Sequence, residues 1–384
     1  MNAGRASADE AERLARVALS LSVEPAEPTV ARAVTAEGAE SVRGRLLSAG
    51  RIEGAELAAA AERLRRVDPA SELELAQLRG LRFVVPGDDE WPAQLDDLEH
   101  APEVTEGRGG VPLGLWVRGP ARLDSLGNSV AVVGSRSATD YGTGVAREMG
   151  GVIARKGWAV VSGAAFGIDQ AAHRGALAAG GVTVTVLACG ADRCYPAAHE
   201  RLIEHLADHS AVISEAPPGA APLRLRFLAR NRIIAALARG TVVVEAAPRS
   251  GALNTASWTD AISRPVMGVP GPVTAMTSAG VHLLLRRGAT LVTSGEEVLE
   301  TVGASGEHLT FDVRGPEHPR DRLSLPQREV LDAVPAFRPA ALDSIASLAG
   351  RGVEETERHL VDLARNGFAE QVGGGWRITA RTRS

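Results

Sequence analysis

The sequence predicts an α/β fold: a Rossmann-like, doubly wound parallel sheet with an N-terminal helical domain and a C-terminal winged-helix domain. From Val130 onward, short apolar runs alternate with helical patterns, which is typical of parallel strands joined by right-handed crossover helices. Only helical patterns precede residue 80, and three short helical patterns followed by a hairpin pattern end the chain. The predicted parallel strands lie at 130–133, 158–161, 182–188, 211–214, 241–245, 265–269 and 290–292.

Composition limits the class of protein and of partner. The 384 residues are 45% hydrophobic, enough for two or three domains, and the net charge of −5 means that any polyanion site must be local. Lys156 is the only lysine, so arginine supplies nearly all the positive charge. Two cysteines, Cys189 and Cys194, argue against a disulfide framework. We find neither an apolar signal core nor a run of 18 apolar residues, and we expect a cytoplasmic protein without a membrane partner.

Residues 1–80 are predicted to form a helical domain of the SAM or helix-hairpin-helix kind. A capping box at Ser7–Glu10 starts the first helix, and further helices are expected near 29–48 and 54–66, the last closed by Asp68-Pro69. Small helical bundles serve either as binding modules or as structural modules, and no motif here decides between the two.

The central domain is predicted to span 81–302. It begins with a connecting region that carries strands near 83–85 and 113–117, before the regular strand–helix alternation starts. A segment rich in Gly, Pro, His and charge, 303–322, is predicted to be a linker to the last domain, 323–384.

The last domain has the pattern of a winged helix. A capping box begins at Ser324, and Gly374 is central to the predicted turn of a terminal hairpin. The third helix opens with Glu354, Glu355 and Glu357, and this acidic end favours protein contact or plain support over DNA reading. The helices are expected near 326–334, 340–349 and 353–366.

The turn after the first parallel strand is the first chemical focus. Gly134, Ser135 and Arg136 lie between a buried strand and a helix, whose unpaired N-terminal amides favour an anion. Arg136 can add a two-pronged contact to a phosphate. The alternative is an ordinary strand–helix turn in which Gly134 only permits the bend. A dinucleotide fingerprint is excluded, because its second and third glycines and its acidic ribose partner are missing.

Two further strand-to-helix turns carry polar groups. In one, Asp169 and His173 are spaced i,i+4 and can form either an acid–base dyad or a hydrogen bond that fixes the helix start. The other contains Ser250 and Gly251. The carboxyl ends of parallel strands share one edge of a sheet, so the three turns are expected to converge on one crevice. Cys189 ends an apolar run and is expected in the core.

A stretch rich in arginine and centred on Phe227 is the second focus. Arg226 and Arg230 share a side if this stretch is helical, and Asn231 is a plausible N-cap for a helix over 232–239. Positive charge beside an exposed ring suits single-stranded nucleic acid, because arginine holds the backbone and the ring stacks on any base. Alternatively, Phe227 belongs to the core and the arginines pair with internal carboxylates. These residues alone support both interpretations equally.

Taken together, these motifs resemble the DprA/Smf DNA-processing family over about residues 80–300. The helical N-terminal part and the winged-helix C-terminal part also fit larger members of that family. The segments that carry the resemblance are 132–136 (VVGSR), 139–142 (TDYG), 162–173, 190–196, 214–219, 230–235 and 244–251.

The resemblance implies a Rossmann-like domain that binds single-stranded DNA, forms a homodimer through that domain, and loads the RecA recombinase during natural transformation or recombination. It implies DNA protection without turnover, so no catalytic residue, metal or cofactor is expected. Phosphate would be held at the turn after the first parallel strand, a base would stack on Phe227, and residues 230–232 would shape or line the pocket. The expected DNA-binding residues are Gly134, Ser135, Arg136, Arg226, Phe227, Arg230, Asn231, Arg232, Ser250 and Gly251.

The chain departs from the family pattern near these motifs. The family commonly has Arg where Phe166 stands, and Pro-Lys where Leu228-Ala229 stand. Without that lysine, DNA binding would either weaken or shift its phosphate contact onto Arg226 and Arg224.

Two other classes of protein remain possible at this point. Rossmann-like nucleoside-monophosphate phosphoribohydrolases also place a Gly-rich turn before a helix, but the catalytic Glu that follows their turn is absent after Gly251. A purely structural scaffold, whose winged helix recruits partners, would not need Arg136 for any binding.

Overall fold

The computed structural model describes residues 9–49, 54–105, 107–308 and 318–379. These residues fall into two compact units, one within 9–308 and the other within 318–379. Across these ranges, no helix combines the length and the apolar character that crossing a membrane requires.

Helices open the first unit, as predicted, but with different limits. The predicted helix over 29–48 is two helices, because Gly38 has a left-handed φ of +82° and breaks it. Asp68 starts a helix instead of closing one, since its carboxylate accepts from the amides of Ala70 and Ser71. Ser7 of the predicted capping box lies outside the described residues. The helices are α1 (Glu10–Ser22), α2 (Pro28–Glu37), α3 (Ala39–Ser48), α4 (Ala55–Leu64) and α5 (Pro69–Leu78).

A nine-stranded sheet follows, in the spatial order β1-β2-β6-β5-β4-β3-β7-β8-β9. The strands from β3 to β9 are parallel, which confirms the predicted parallel sheet. β1 and β2 extend it with antiparallel pairing beside β6. The strands are β1 (Leu81–Val84), β2 (Leu115–Arg118), β3 (Ser129–Val133), β4 (Ala159–Ser162), β5 (Thr183–Leu187), β6 (Ala211–Ser214), β7 (Thr241–Val243), β8 (Val266–Gly268) and β9 (Thr290–Leu291).

Helices cover both faces of this sheet. Because side chains alternate along β3, Val130 and Val132 join one core with α6, α7 and α12, whereas Ala131 and Val133 join another with α9 and α10. The sheet is therefore the middle of three layers. The helices are α6 (Asp140–Arg155), α7 (Ile168–Ala178), α8 (Glu200–His209), α9 (Arg224–Leu237), α10 (Gly251–Ala261), α11 (Met276–Arg286) and α12 (Gly295–Val302).

The strand order places the site. The first parallel strand, β3, lies between β4 and β7, and the chain winds away from it in both directions. The loops after β3 and β7 therefore diverge at this switch point and leave a crevice at the carboxyl ends of the two strands, where ligands bind in open α/β sheets.

The second unit has the three helices and the hairpin that the sequence predicts. The capping box at Ser324 is present: its hydroxyl accepts from the Gln327 amide, and the Gln327 side chain accepts from the Ser324 amide. Gly373 and Gly374 both have positive φ in the hairpin turn. The elements are α13 (Leu325–Ala333), α14 (Leu342–Ala349), α15 (Val353–Arg365), β10 (Ala369–Val372) and β11 (Gly375–Ile378).

Candidate functional site

A cleft of about 670 Å³ opens at the carboxyl ends of β3 and β7. The turns after β3, β4 and β7 form part of its wall, and α9 and the first residues of α10 form the rest. The predicted convergence of three turns on one crevice is confirmed. The lining segments are 133–137, residues 165 and 169, and residues within 224–234 and 247–255.

The turn after β3 is fixed by its neighbours. Gly134 has no room for a side chain, because a Cβ there would lie 2.5 Å from Ile168 Cγ1 and 2.8 Å from the Glu245 carbonyl oxygen. The Ser135 amide donates to that carbonyl at 2.6 Å, and the Ile168 amide donates to the Ser135 carbonyl at 3.3 Å. The three turns thus hold one another, and Arg136 projects from a rigid base.

The helix N-terminus that meets the cleft differs from the one expected. The Glu245 carboxylate accepts from the Thr139 amide at 2.9 Å and from the Thr139 hydroxyl at 2.6 Å, so a protein anion already occupies the start of α6. At α10, by contrast, the N-cap Ser250 and the first residue Gly251 line the cleft. The helix N-terminus that faces the cleft, and could accept an anion there, is therefore that of α10.

The cleft is strongly cationic. Arg136, Arg224 and Arg249 line it with exposed side chains, and none of the three forms an ion pair with a described residue. Arg230 adds a fourth guanidinium. Among the described residues of the wall, Asp169 is the single acidic one, and it is buried. Positive charge without a protein partner is thus concentrated where a ligand would lie.

Arg230 is held at the base of the cleft. Its Nη1 donates to the carbonyls of Gly163, at 3.0 Å, and Val186. Gly163 permits this approach, because a Cβ there would lie 2.1 Å from Nη1. Burial lowers the pKa of Arg230 to about 10, an effect that Asp169 opposes and Arg136 reinforces. Arg230 therefore keeps its charge at neutral pH.

Phe227 lies partly buried among these charges. The Cζ atoms of Arg136 and Arg230 are 5.1 and 6.0 Å from its ring centroid, and the Tyr195 ring centroid is 5.7 Å away. The ring also lines the cleft, which places an aromatic face beside cations at an open surface. Phe227 therefore combines a ring at the cleft surface with two neighbouring guanidinium groups.

Asn231 is not a helix cap. It lies inside α9, which begins earlier, at Arg224, and its amide donates to Asn254 Oδ1 at 3.1 Å and to the Gly251 carbonyl at 3.3 Å. These bonds join α9 to the start of α10. Asn231 therefore lines the cleft and also fixes its width.

Arg226 and Arg232 do not line the cleft, which corrects their expected positions. Arg226 forms a two-pronged ion pair with Glu24, at 2.8 and 2.9 Å. Arg232 is fully buried and donates to Glu215 Oε1 at 2.6 Å. Both project from α9 toward carboxylates of the same chain. For these two arginines, the structure agrees with the alternative interpretation, in which the basic stretch pairs with carboxylates of the protein. They can support the helix that carries Phe227, but they do not face the cleft.

Asp169 and His173 do not form a dyad. The Asp169 carboxylate accepts from the amides of Gly163 and Ala165, and the His173 Nδ1 lies 2.7 Å from the Thr183 hydroxyl. Burial raises the pKa of Asp169, against the lowering effect of nearby Arg230. Burial lowers the pKa of His173 to about 3. Both residues are fixed in structural bonds and cannot exchange a proton with each other.

We predict that His173 makes the fold acid-sensitive. The pKa of a histidine in an unfolded chain is near 6.5, whereas burial lowers the pKa of His173 in the fold to about 3. The unfolded chain therefore takes up one more proton than the fold as pH falls between these values. This difference lowers the free energy of unfolding by up to about 1.4 kcal/mol per pH unit in that window. His173→Asn, which keeps a donor to Thr183, should remove this part of the slope in urea unfolding. The raised pKa of Asp169 changes the pH dependence of stability in the opposite direction, but it does so equally in the unsubstituted protein and in the variant. The prediction is therefore contradicted only if the variant shows the same slope as the unsubstituted protein.

The cysteines are placed as expected of core and near-core residues. Cys189 is buried, which confirms the prediction, and burial raises the pKa values of both Cys189 and Cys194 to about 11. Neither thiol is therefore a ready nucleophile. In the parts of the chain that the structure describes, no cluster of three or more His, Cys, Asp or Glu side chains could hold a metal ion.

Arg249 was not among the predicted site residues, and Arg224 was named only as a substitute for a missing phosphate contact. Arg249 directly precedes the Ser250-Gly251 turn, and Arg224 is the first residue of α9. Arg249 stands beside a turn that the sequence did single out, whereas the start of α9 at Arg224 was not predicted, because the expected helix covered 232–239. In an arginine-rich chain, residue type alone gave little reason to select either residue.

Comparison with known proteins places this chain among DNA-processing proteins. The family described as DNA recombination-mediator protein A matches residues 82–303. A Mycobacterium tuberculosis protein whose name refers to DNA processing and DprA is 46% identical over 328 residues, which cover 85% of this chain and 84% of that protein. The DNA processing protein DprA of Streptococcus pneumoniae is 40% identical over 213 residues, 55% of this chain and 71% of that protein.

A solved structure agrees with these matches. The X-ray structure of DNA processing protein A from Streptococcus pneumoniae matches with a TM-score of 0.62 and 31% identity, covering 77% of this chain and 99% of that chain. The matched family range contains the whole cleft.

Proposed function

The chain belongs to the DNA recombination-mediator protein A family, and we propose that it binds single-stranded DNA in the cleft at the ends of β3 and β7. One observation carries this proposal: four arginines line the same cleft as a partly exposed Phe227, two of them beside its ring, and the single acidic side chain of the described wall is buried. Such a site attracts a phosphate backbone and offers a ring to a base.

A single strand fits this site better than a duplex. Phe227 can stack on a base only if that base has left its own stack, which costs a duplex a few kcal/mol and a flexible strand much less. The contacts that would hold the strand are guanidinium groups and the start of α10, which read phosphate and not sequence. We therefore propose binding with little sequence preference.

The wider role that we propose follows the family description. A recombination mediator brings a recombinase to DNA, and we propose that this chain protects single strands and loads the RecA recombinase onto them during natural transformation or recombination. The predicted site residues that line the cleft would bind the DNA. They are Gly134, Ser135, Arg136, Phe227, Arg230, Asn231, Ser250 and Gly251.

We also propose a homodimer through the Rossmann-like domain. β9 is the last strand of the sheet, and Leu291 on it is exposed, as are Leu283 and Met276 on α11. An end strand with apolar side chains is a template for pairing with a second copy. Sedimentation analysis of the full chain checks this state.

For the remaining parts, we propose the domain limits 1–80, 81–302 and 323–384, with 303–322 as linker. In the last domain, three helices and a hairpin support a winged helix. Glu354 and Glu357 are exposed at the start of α15, and this charge favours a protein partner over DNA. A nucleotide-hydrolysing activity is not favoured, because the turn at Gly251 is not followed by the catalytic Glu of such enzymes, and Asp169 is buried in structural hydrogen bonds.

The experiment that tests the function compares labelled oligo-dT with a matched duplex by fluorescence anisotropy at low and moderate salt. We expect tight, salt-sensitive binding of the single strand and weak binding of the duplex. Equal affinity for both would shift the site toward another surface. Absence of binding, or release of free base from a nucleotide, would overturn the proposal.

Phe227→Ala is expected to weaken oligo-dT binding by about 1–3 kcal/mol, because the variant loses the base-stacking ring. The salt dependence should stay the same, since no charge is removed. Anisotropy titrations at several salt concentrations measure both quantities. If the variant instead loses stability while its folded fraction binds as before, the ring is a packing residue and the stacking role is wrong.

A further inference from the structure

We infer that a single strand bound in the cleft continues across a second stacking surface formed by Tyr195 and Phe166, which with Phe227 make an aromatic track. This inference rests on the proposed binding of single-stranded DNA. It assigns base contacts to two residues outside the cleft wall, and it gives the strand a direction, from the turn after β3 toward the turns after β4 and β5.

The first observation is that both rings adjoin the cleft. The Tyr195 and Phe227 ring centroids are 5.7 Å apart, so Tyr195 extends the surface that Phe227 begins. Phe166 directly follows the cleft residue Ala165. Its ring packs edge-on against His199 with centroids 4.4 Å apart, and His199 Nδ1 lies 2.8 Å from the Ala164 carbonyl.

The second observation is that these rings are not core. Phe166 is 44% exposed and Tyr195 is 41% exposed, whereas Trp116 and Trp258 are completely buried. Single exposed apolar residues are ordinary on a protein surface. Two exposed rings beside an open cationic cleft in a chain with 3% aromatic residues are a more specific arrangement.

The third observation is that the turn that carries Phe166 is held rigidly. Gly167 has a φ of +76°, and a Cβ there would lie 2.3 Å from the Ser135 carbonyl oxygen, so the turn that carries Phe166 is packed on the turn that carries Arg136. Asp169 fixes the same turn through the amides of Gly163 and Ala165. Rings that are already positioned lose little conformational freedom when a base stacks on them.

The chemistry follows from this placement. Arginines at the cleft hold phosphates, and each ring beyond them presents a face on which an unstacked base can lie. Stacking does not depend on which base is present and does not release counterions. The track should therefore raise affinity for strands that extend past the cleft, without raising the salt dependence of binding.

The test crosses protein variants with abasic oligonucleotides. The shortest oligo-dT that still binds with full affinity, which limits the strand to one register, is compared with oligonucleotides of the same length that carry one abasic site at each successive position. Phe166→Ala and Tyr195→Ala should each bind intact oligo-dT at least about five-fold more weakly, with an unchanged salt slope. Each variant should match the unsubstituted protein when the abasic site lies at the position that its ring contacts.

Tyr141→Ala is the matched control. Tyr141 is the only other tyrosine, is 47% exposed, and donates its hydroxyl to the Pro270 carbonyl outside the cleft wall. It should bind every oligonucleotide as the unsubstituted protein does. Thermal unfolding of each variant separates a loss of fold from a loss of contact.

The track and the cleft can fail separately. If Arg136→Ala weakens binding but Phe166→Ala and Tyr195→Ala change nothing at any abasic position, the track is wrong and the cleft stands. If the two ring variants bind more weakly by the same factor at every abasic position, they do not stack on a base and the track is again wrong. If intact oligo-dT does not bind, both proposals are overturned.

Discussion

Replacing Arg136, Arg224 and Arg249 together by alanine is expected to weaken oligo-dT binding by about a thousand-fold or more at low salt. These three guanidinium groups line the cleft, are exposed and have no ion-pair partner among the described residues. A hydrogen bond to a charged group contributes about 1.5–3 kcal/mol, so three lost phosphate contacts exceed about 4 kcal/mol. The slope of log affinity against log salt should fall by about 2, at about 0.7 for each phosphate of a single strand.

Anisotropy titrations of labelled oligo-dT over a range of salt concentrations give both numbers. Arg155→Ala is the matched control for one removed charge, because Arg155 is also exposed but ends α6, at the opposite edge of the sheet from the cleft. That variant should keep nearly full affinity. If the triple variant keeps its salt slope, the backbone of the strand does not lie in this cleft.

The position of the cleft was predicted correctly because it depends on the topology of the parallel sheet. Parallel strands bring their carboxyl ends to one edge whatever their side chains are, so the turns at Gly134 and Gly251 had to meet near a switch point. The antiparallel strands β1 and β2 were visible as strands in the sequence, but their pairing beside β6 depends on long-range packing that no local pattern encodes.

The arginines of α9 mark the limit of prediction from sequence. Arg226, Arg230 and Arg232 are alike in the sequence, yet one pairs with Glu24, one lies at the cleft and one is buried against Glu215. Their directions depend on where α9 begins and on which carboxylates the N-terminal helices and β6 bring to it. Without the helix start at Arg224, the rotation of α9 about its axis could not be assigned.

The buried pair of Arg232 and Glu215 gives the second large prediction, which concerns stability. Arg232 is completely buried, and its Nη2 donates to Glu215 Oε1 at 2.6 Å. The same carboxylate oxygen accepts from the Ala26 amide at 3.3 Å, so the pair joins α9 to the loop between α1 and α2. Nε and Nη1 of Arg232 have no hydrogen-bond partner within the described residues, and Glu215 is therefore its main compensation.

Glu215→Gln should lower the free energy of unfolding by about 3–5 kcal/mol, because it leaves a guanidinium charge buried without a counter-charge. Urea unfolding of the full chain, followed by tryptophan fluorescence, measures the loss. Glu204→Gln is the matched control. Glu204 pairs with Arg118 at a more exposed position, with 42% and 26% of the two side chains accessible, and its loss should cost less than about 1 kcal/mol.

Replacing both partners separates the cost of an unpaired charge from the loss of a useful contact. In the double variant Glu215→Leu with Arg232→Met, no charge is buried, and most of the lost stability should return. If Glu215→Gln is as mild as the Glu204 control, Arg232 finds compensation elsewhere. If the double variant is as unstable as the single one, the hydrogen bonds that Glu215 accepts from Arg232 and from the Ala26 amide are needed for stability, and charge balance alone is not enough. Recovery of stability in the double variant, with oligo-dT affinity retained, would mean that the pair supports the fold beneath the cleft and takes no part in holding DNA.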